Sequence, residues 1–151
     1  MLRAIPWLGA FVLCALVNNH LVRADEAADS SKLTATVIIP QEVPSFEGLT
    51  LQLTLFEFDP LLADAAADRF DEIKVKNFAH TQGTPTKKTF VLGEKVNGGK
   101  VRANRKYYLV TDIVDADGKR THYGDCTHRK GLCSVLTGEF PKKVEVKLRK
   151  L

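Results

Sequence analysis

Apolar and polar residues alternate with period 2 through most of the chain beyond residue 32. In "LTATVII", Leu33, Ala35, Val37 and Ile39 fall on one side, the pattern of a strand with one face in a core and the other in water. "PQEVPSFEG" interrupts with two prolines and a glycine, which punctuate rather than continue a strand. "LTLQLTLFEF" then resumes the rhythm, with Leu49, Leu51, Leu53 and Leu55 opposed to Thr50, Gln52 and Thr54.

The rhythm breaks over Asp59–Glu72. Asp59 before Pro60 suits a helix start, and Leu61, Leu62, Ala65, Ala66 and Phe70 fit one helical face, because a capping Asp and a first-turn Pro satisfy helix-end chemistry. The expectation is a short helix or compact loop around residues 60–70, followed by a weak strand at "IKVKNF". Strands are expected again at Thr86–Leu92 and Lys106–Val114, the latter rich in β-branched and aromatic residues. Asp117-Gly118 supplies a hairpin turn into "KRTHYGD". A brief strand near "SVL" and a last one, with Val144, Val146 and Leu148 opposed to Lys143, Glu145, Lys147 and Arg149, complete the series. About seven short strands separated by turn signals predict an all-β chain, an antiparallel β-sandwich.

The first residues differ in kind. Arg3, the apolar run Ala4–Val17, and Val22 and Ala24 before Asp25 form the pattern of a secretory signal peptide cut between Ala24 and Asp25. The apolar run is too short for a membrane span. Val12 and Leu13 before Cys14 do not make a lipobox. The expected organisation is a signal over 1–24, a polar tether over 25–32 and one domain over 33–151. Cleavage leaves 20 basic against 18 acidic side chains, too balanced for the basic field that nucleic-acid binding uses. The mature chain is expected to be soluble in the periplasm or outside the cell, with no transmembrane span.

The order "VPSFEGLTLQLTLFEFDPLLADA", then "TFVL", "NRKYYLVTDIVDADGKRTHYGD" and "VEVKL" resembles the YscW/YbaY-type family of small bacterial envelope proteins. The resemblance spans most of Leu33–Leu151 and rests on structural motifs. It implies a β-sandwich of the envelope, in some members a lipoprotein that assists secretion assemblies. This chain departs from it in lacking a lipobox and in carrying "CTHRKGLC".

Export leaves two cysteines, Cys126 and Cys133. An even count in an oxidising compartment favours a disulfide closing the end of a hairpin. Two other readings stay open. His122, Cys126, His128 and Cys133 make a legitimate zinc set at poor spacing, and Arg129 and Lys130 beside the thiols would favour a reactive pair. Calcium at Asp59, Asp64, Asp68, Asp71 and Glu72, or at "VDADG", lacks the tight ligand loop that ion requires. No hydrolase elbow, P-loop or HExxH occurs. His80, His122 and His128 are expected on exposed strand positions, and Lys142, Lys143, Lys147, Arg149 and Lys150 on a wet strand face.

These residues favour a non-catalytic exported protein, without cofactor, that binds an envelope or secreted protein partner. The alternative is a glycan- or small-molecule-binding module, which an exposed cluster of Tyr107, Tyr108 and Tyr123 would support.

Overall fold

The computed structural model describes residues 32–62, 64–93 and 100–151. The signal segment, Cys14, the Ala24–Asp25 cleavage point and residues 25–31 of the tether lie outside the described residues. Eight strands follow: β1 (Leu33–Ile39), β2 (Phe46–Phe58), β3 (Asp68–His80), β4 (Thr86–Leu92), β5 (Lys106–Val114), β6 (Arg120–Cys126), β7 (Cys133–Val135) and β8 (Lys143–Lys150). The fold is all-β. Among the described residues no helix is long and apolar enough to cross a membrane.

The strands form one sheet in the order β3-β2-β5-β6-β8-β1-β4, with β7 pairing β5 off this path. β3 and β4 are consecutive in the chain yet stand at opposite ends of the sheet, so the sheet must curl until those ends meet. Side chains bridge the seam. The His80 Nδ1 and Thr86 Oγ1 atoms lie 2.9 Å apart, the Gly93 N–H donates to Asp71 Oδ2, and the Lys88 ammonium lies 5.9 Å from the Phe78 ring centroid. The result is a barrel-like sandwich, nearly closed.

Its interior is the alternation read from the sequence. Leu33, Ala35, Val37 and Ile39 are fully buried, as are Leu51, Leu53 and Leu55, and they meet Ile113, Val146 and Leu148. Removing each of the Leu, Ile and Val side chains from water contributes about 1.5–3 kcal/mol. Gly124 is inward-facing where β6 passes between β5 and β8. A Cβ there would meet Val146 Cγ1 at 2.4 Å and Thr111 Cβ at 3.0 Å, so the close approach of these strands needs a residue without a side chain.

Four expectations change. The helix does not form among the described residues: residues 60–62 and 64–67 are turn and loop, and Asp68–Glu72 begin β3. The long β2 offers backbone groups as far as Glu57 and Phe58, and pairing Phe56 with Arg69 and Glu57 with Asp68 satisfies more of them than one isolated helical turn would. The weak "IKVKNF" strand is thereby part of a 13-residue strand. The sheet is not wholly antiparallel, because β1 pairs β8 in parallel from Thr34–Lys143 to Ile38–Lys147. His80 and His122 are buried at 4% exposure each, since both occupy inward positions; His128 is exposed.

Candidate functional site

Two irregular segments converge at one end of the barrel. The first is the corner between β2 and β3. Asp59 organises it, taking the Leu61 N–H on Oδ1 at 3.0 Å and the Leu62 N–H on its carbonyl at 3.1 Å. This Asx turn uses the same Asp-Pro chemistry that would have started a helix. Ala65 N–H then bonds the Leu62 carbonyl at 3.1 Å. The corner leaves Leu61 90% and Leu62 57% exposed.

The second is the loop between β6 and β7. β6 leaves β5 beyond the Asp112–Tyr123 pair, and β7 rejoins β5 at Leu109–Cys133. The chain between them must bulge outward and return. Cys126 and Cys133 close this excursion as a disulfide with Cα atoms 5.5 Å apart, within the span such bonds require. Leu132, just inside the ring, is 50% exposed.

Between corner and loop lies an open groove of about 330 Å³. Phe58 and Tyr108 form its floor, Pro60, Leu62, Ala65 and Ala67 one wall, and Leu132 the other. Tyr108 is fixed by its neighbours, stacked on Phe56 at 5.1 Å and edge-on to Phe58 at 5.9 Å. Of the five large apolar side chains most exposed among the described residues, Leu61, Leu62 and Leu132 sit at this one end. Exposed apolar surface gathered in a concave patch marks a binding site more strongly than single exposed leucines do.

Under the groove end the interior turns polar. Glu57 continues the inward series of Leu51, Leu53 and Leu55 and is 3% exposed. Tyr107, directly opposite it in the ladder, donates its hydroxyl to Glu57 Oε2 at 2.7 Å. Arg102 donates from its guanidinium to Glu57 Oε1, and its backbone N–H bonds the Tyr107 oxygen at 3.0 Å. Arg105 lies 3.7 Å from Glu57 and pairs with Asp59 at 3.3 Å, tying the buried carboxylate to the corner. Burial pushes the Tyr107 phenol above its ordinary pKa, and the Glu57 charge adds to this. The sequence reading missed Glu57; its place on the buried side of the period-2 pattern was the available signal.

The other candidate residues disperse. Cys126, His128 and Cys133 place their ligand atoms within 4.8 Å of one another. With the sulfurs bonded to each other they offer no thiolates to a metal. His122 faces inward, its Nδ1 3.0 Å from Thr121 Oγ1 and its ring 5.0 Å from Phe46. Burial, then the Lys150 charge and then His80, hold it below the usual histidine pKa. His80 lies 5.7 Å from the same Phe46 ring. Asp71 accepts the Glu72 and Gly93 N–H groups, while Glu72 accepts from Gln52 at 2.7 Å and pairs with Arg69 and Lys74. In "VDADG", Asp115 Oδ1 takes the Asp117 and Lys119 N–H groups, the work of a hairpin turn. Tyr107 is 1% exposed, so Tyr107, Tyr108 and Tyr123 do not make a surface cluster.

No family model matches the chain, and no curated protein matches it. Among solved structures, an alternative pilotin from the type II secretion system of Vibrio cholerae has a similar fold, with a TM-score of 0.56 and 20% sequence identity. The alignment covers 80% of this chain and 96% of the pilotin chain.

Proposed function

We propose that this chain is an exported, non-catalytic envelope protein that binds a partner in its apolar groove, with a role akin to that of a secretion pilotin. Export with cleavage between Ala24 and Asp25 is part of the proposal, as is kinship with the YscW/YbaY-type proteins. The observation that carries it is the pair of exposed leucines, Leu62 and Leu132, lining a concave groove with Phe58 and Tyr108, beside the still more exposed Leu61. A folded monomer gains nothing from leaving such side chains in water at one place, whereas a partner covering them would bury them. The pilotin likeness supports the class of partner, a subunit of a secretion assembly. The alignment takes in 80% of this chain and 96% of the pilotin chain, so the likeness is one of overall fold.

Affinity capture from detergent-solubilised envelope tests this reading. The wild-type mature chain is expected to retain one discrete secretion-assembly subunit, and Leu62→Asp with Leu132→Asp to lose it while keeping the wild-type circular dichroism spectrum. Retention of the same subunit by the double variant would show that the groove is not the binding surface.

A further inference from the structure

We propose that the segment received by the groove is amphipathic and acidic, presenting carboxylates beside its apolar side chains. This rests on the groove reading above and specifies the chemistry of the partner. Lys106 stands opposite Phe58 in the β2–β5 ladder and two positions from Tyr108, so it borders the groove floor. Its ammonium lies 5.9 Å from the Phe140 ring centroid, and the Arg129 guanidinium lies 5.4 Å from the same centroid. Arg129 belongs to the disulfide-closed loop that also carries Leu132. Two cations from different elements are thus held over one ring at the groove's edge.

Neither cation has a carboxylate partner among the described residues, whereas Arg102, Arg105, Arg120 and Arg149 all do. Asp59, the acid at the groove, is engaged by Arg105 and by the Leu61 N–H. Glu139 and Asp64 are exposed and form no ion pair with Lys106 or Arg129. A cation over an aromatic face keeps N–H donors free for a second partner. Holding it there in advance lowers the ordering cost of the next contact. A carboxylate supplies what these groups lack. The concavity favours projecting side chains over a flat bilayer, and the mature chain's near balance of 20 basic against 18 acidic side chains is far from the polybasic surface that anionic membranes attract.

The test uses the mature full chain and two labelled synthetic peptides of about 16 residues, roughly four helical turns. They share one leucine face and differ only in carrying Glu or Lys beside it. Fluorescence anisotropy is expected to show the Glu peptide binding about tenfold more tightly at low salt, as rim charges act chiefly through salt-sensitive attraction. That preference should shrink as salt rises from about 0.05 to 0.5 M. Lys106→Glu with Arg129→Glu should reverse it, and Leu62→Asp should weaken both peptides. Equal binding of the two peptides, or an unchanged preference in the charge-reversed variant, overturns the acidic assignment. So does binding to phosphatidylglycerol vesicles with neither peptide bound. Because the salt series needs no variant, it decides the matter even if the charge-reversed protein fails to fold. If groove-dependent capture of an envelope subunit persists while the peptide preference is absent, this inference alone fails and the groove reading stands.

Discussion

Tyr107 donates its hydroxyl to the Glu57 carboxylate at 2.7 Å across the β2–β5 ladder, with both side chains inside the barrel. A carboxylate at that depth persists because the phenol and the Arg102 guanidinium satisfy its oxygens. Tyr107→Phe is expected to destabilise the fold by about 1.5–3 kcal/mol, as a hydrogen bond to a charged acceptor is lost. Glu57→Gln removes the charge from the same contact, and the double variant should cost less than the sum of the singles. Urea unfolding of the four proteins checks this; strict additivity would mean that the two groups do not act together.

His122 gives the fold a dependence on pH. Its folded pKa lies below the usual histidine value, chiefly through burial and then through the nearby Lys150 and His80. The unfolded chain therefore binds a proton more readily than the folded one. The contribution of neutral His122 is fully present above about pH 6.5, the ordinary histidine pKa, and is lost as pH falls through the lowered folded value. Unfolding free energy should decline as pH is lowered below that point, and His122→Phe should flatten the decline. An equally steep decline in His122→Phe would place the titration elsewhere.

Gly124 should tolerate nothing larger. A methyl group there meets Val146 Cγ1 at 2.4 Å and Thr111 Cβ at 3.0 Å, and overpacking of this kind costs about 1–3 kcal/mol. Val146→Ala in the Gly124→Ala background removes the nearer obstacle, so part of that loss should return. Thermal melting of both variants reads it directly, and a Gly124→Ala protein as stable as wild type would contradict the packing described.

The Cys126–Cys133 ring is small, with a sequence separation of 7. Reduction, or Cys126→Ser with Cys133→Ser, should lower stability by up to about 2.5 kcal/mol on the chain-entropy model. The barrel should survive, because its Leu and Val interior contributes far more. Thiol titration of exported protein should find no free thiol, and a chelator should leave the melting temperature unchanged. Two accessible thiols would contradict the disulfide, and a chelator-dependent loss of structure would favour the zinc set instead.

Much of this barrel was legible in the sequence because its strands carry one wet and one dry face. β1, β2, β5 and β8 announce themselves by period 2. The corner after Asp59 did not, since Leu61, Leu62, Ala65, Ala66 and Phe70 also satisfy a helical spacing. What decided against the helix was the far end of β2, a pairing that no local window contains. The parallel β1–β8 pair is hidden for the same reason, as its members come from opposite ends of the domain. The buried histidines were readable in principle: His122 shares its parity with Gly124 and Cys126, as His80 does with Phe78. The groove was harder. Adjacent leucines such as Leu61 and Leu62 look like core, and only the turn built by Asp59 shows that they face outward beside Leu132.

Site-specific photocross-linking in the intact source cell tests whether this groove receives a secretion-assembly partner. A photoreactive residue is placed at Leu62, at Leu132, or at Lys119 in the β5–β6 turn as a control. One shared adduct is expected from Leu62 and Leu132, identified by mass spectrometry as a secretion-assembly subunit, and none from Lys119. Absence of any adduct at the two leucines, or the same adduct from Lys119, would contradict it.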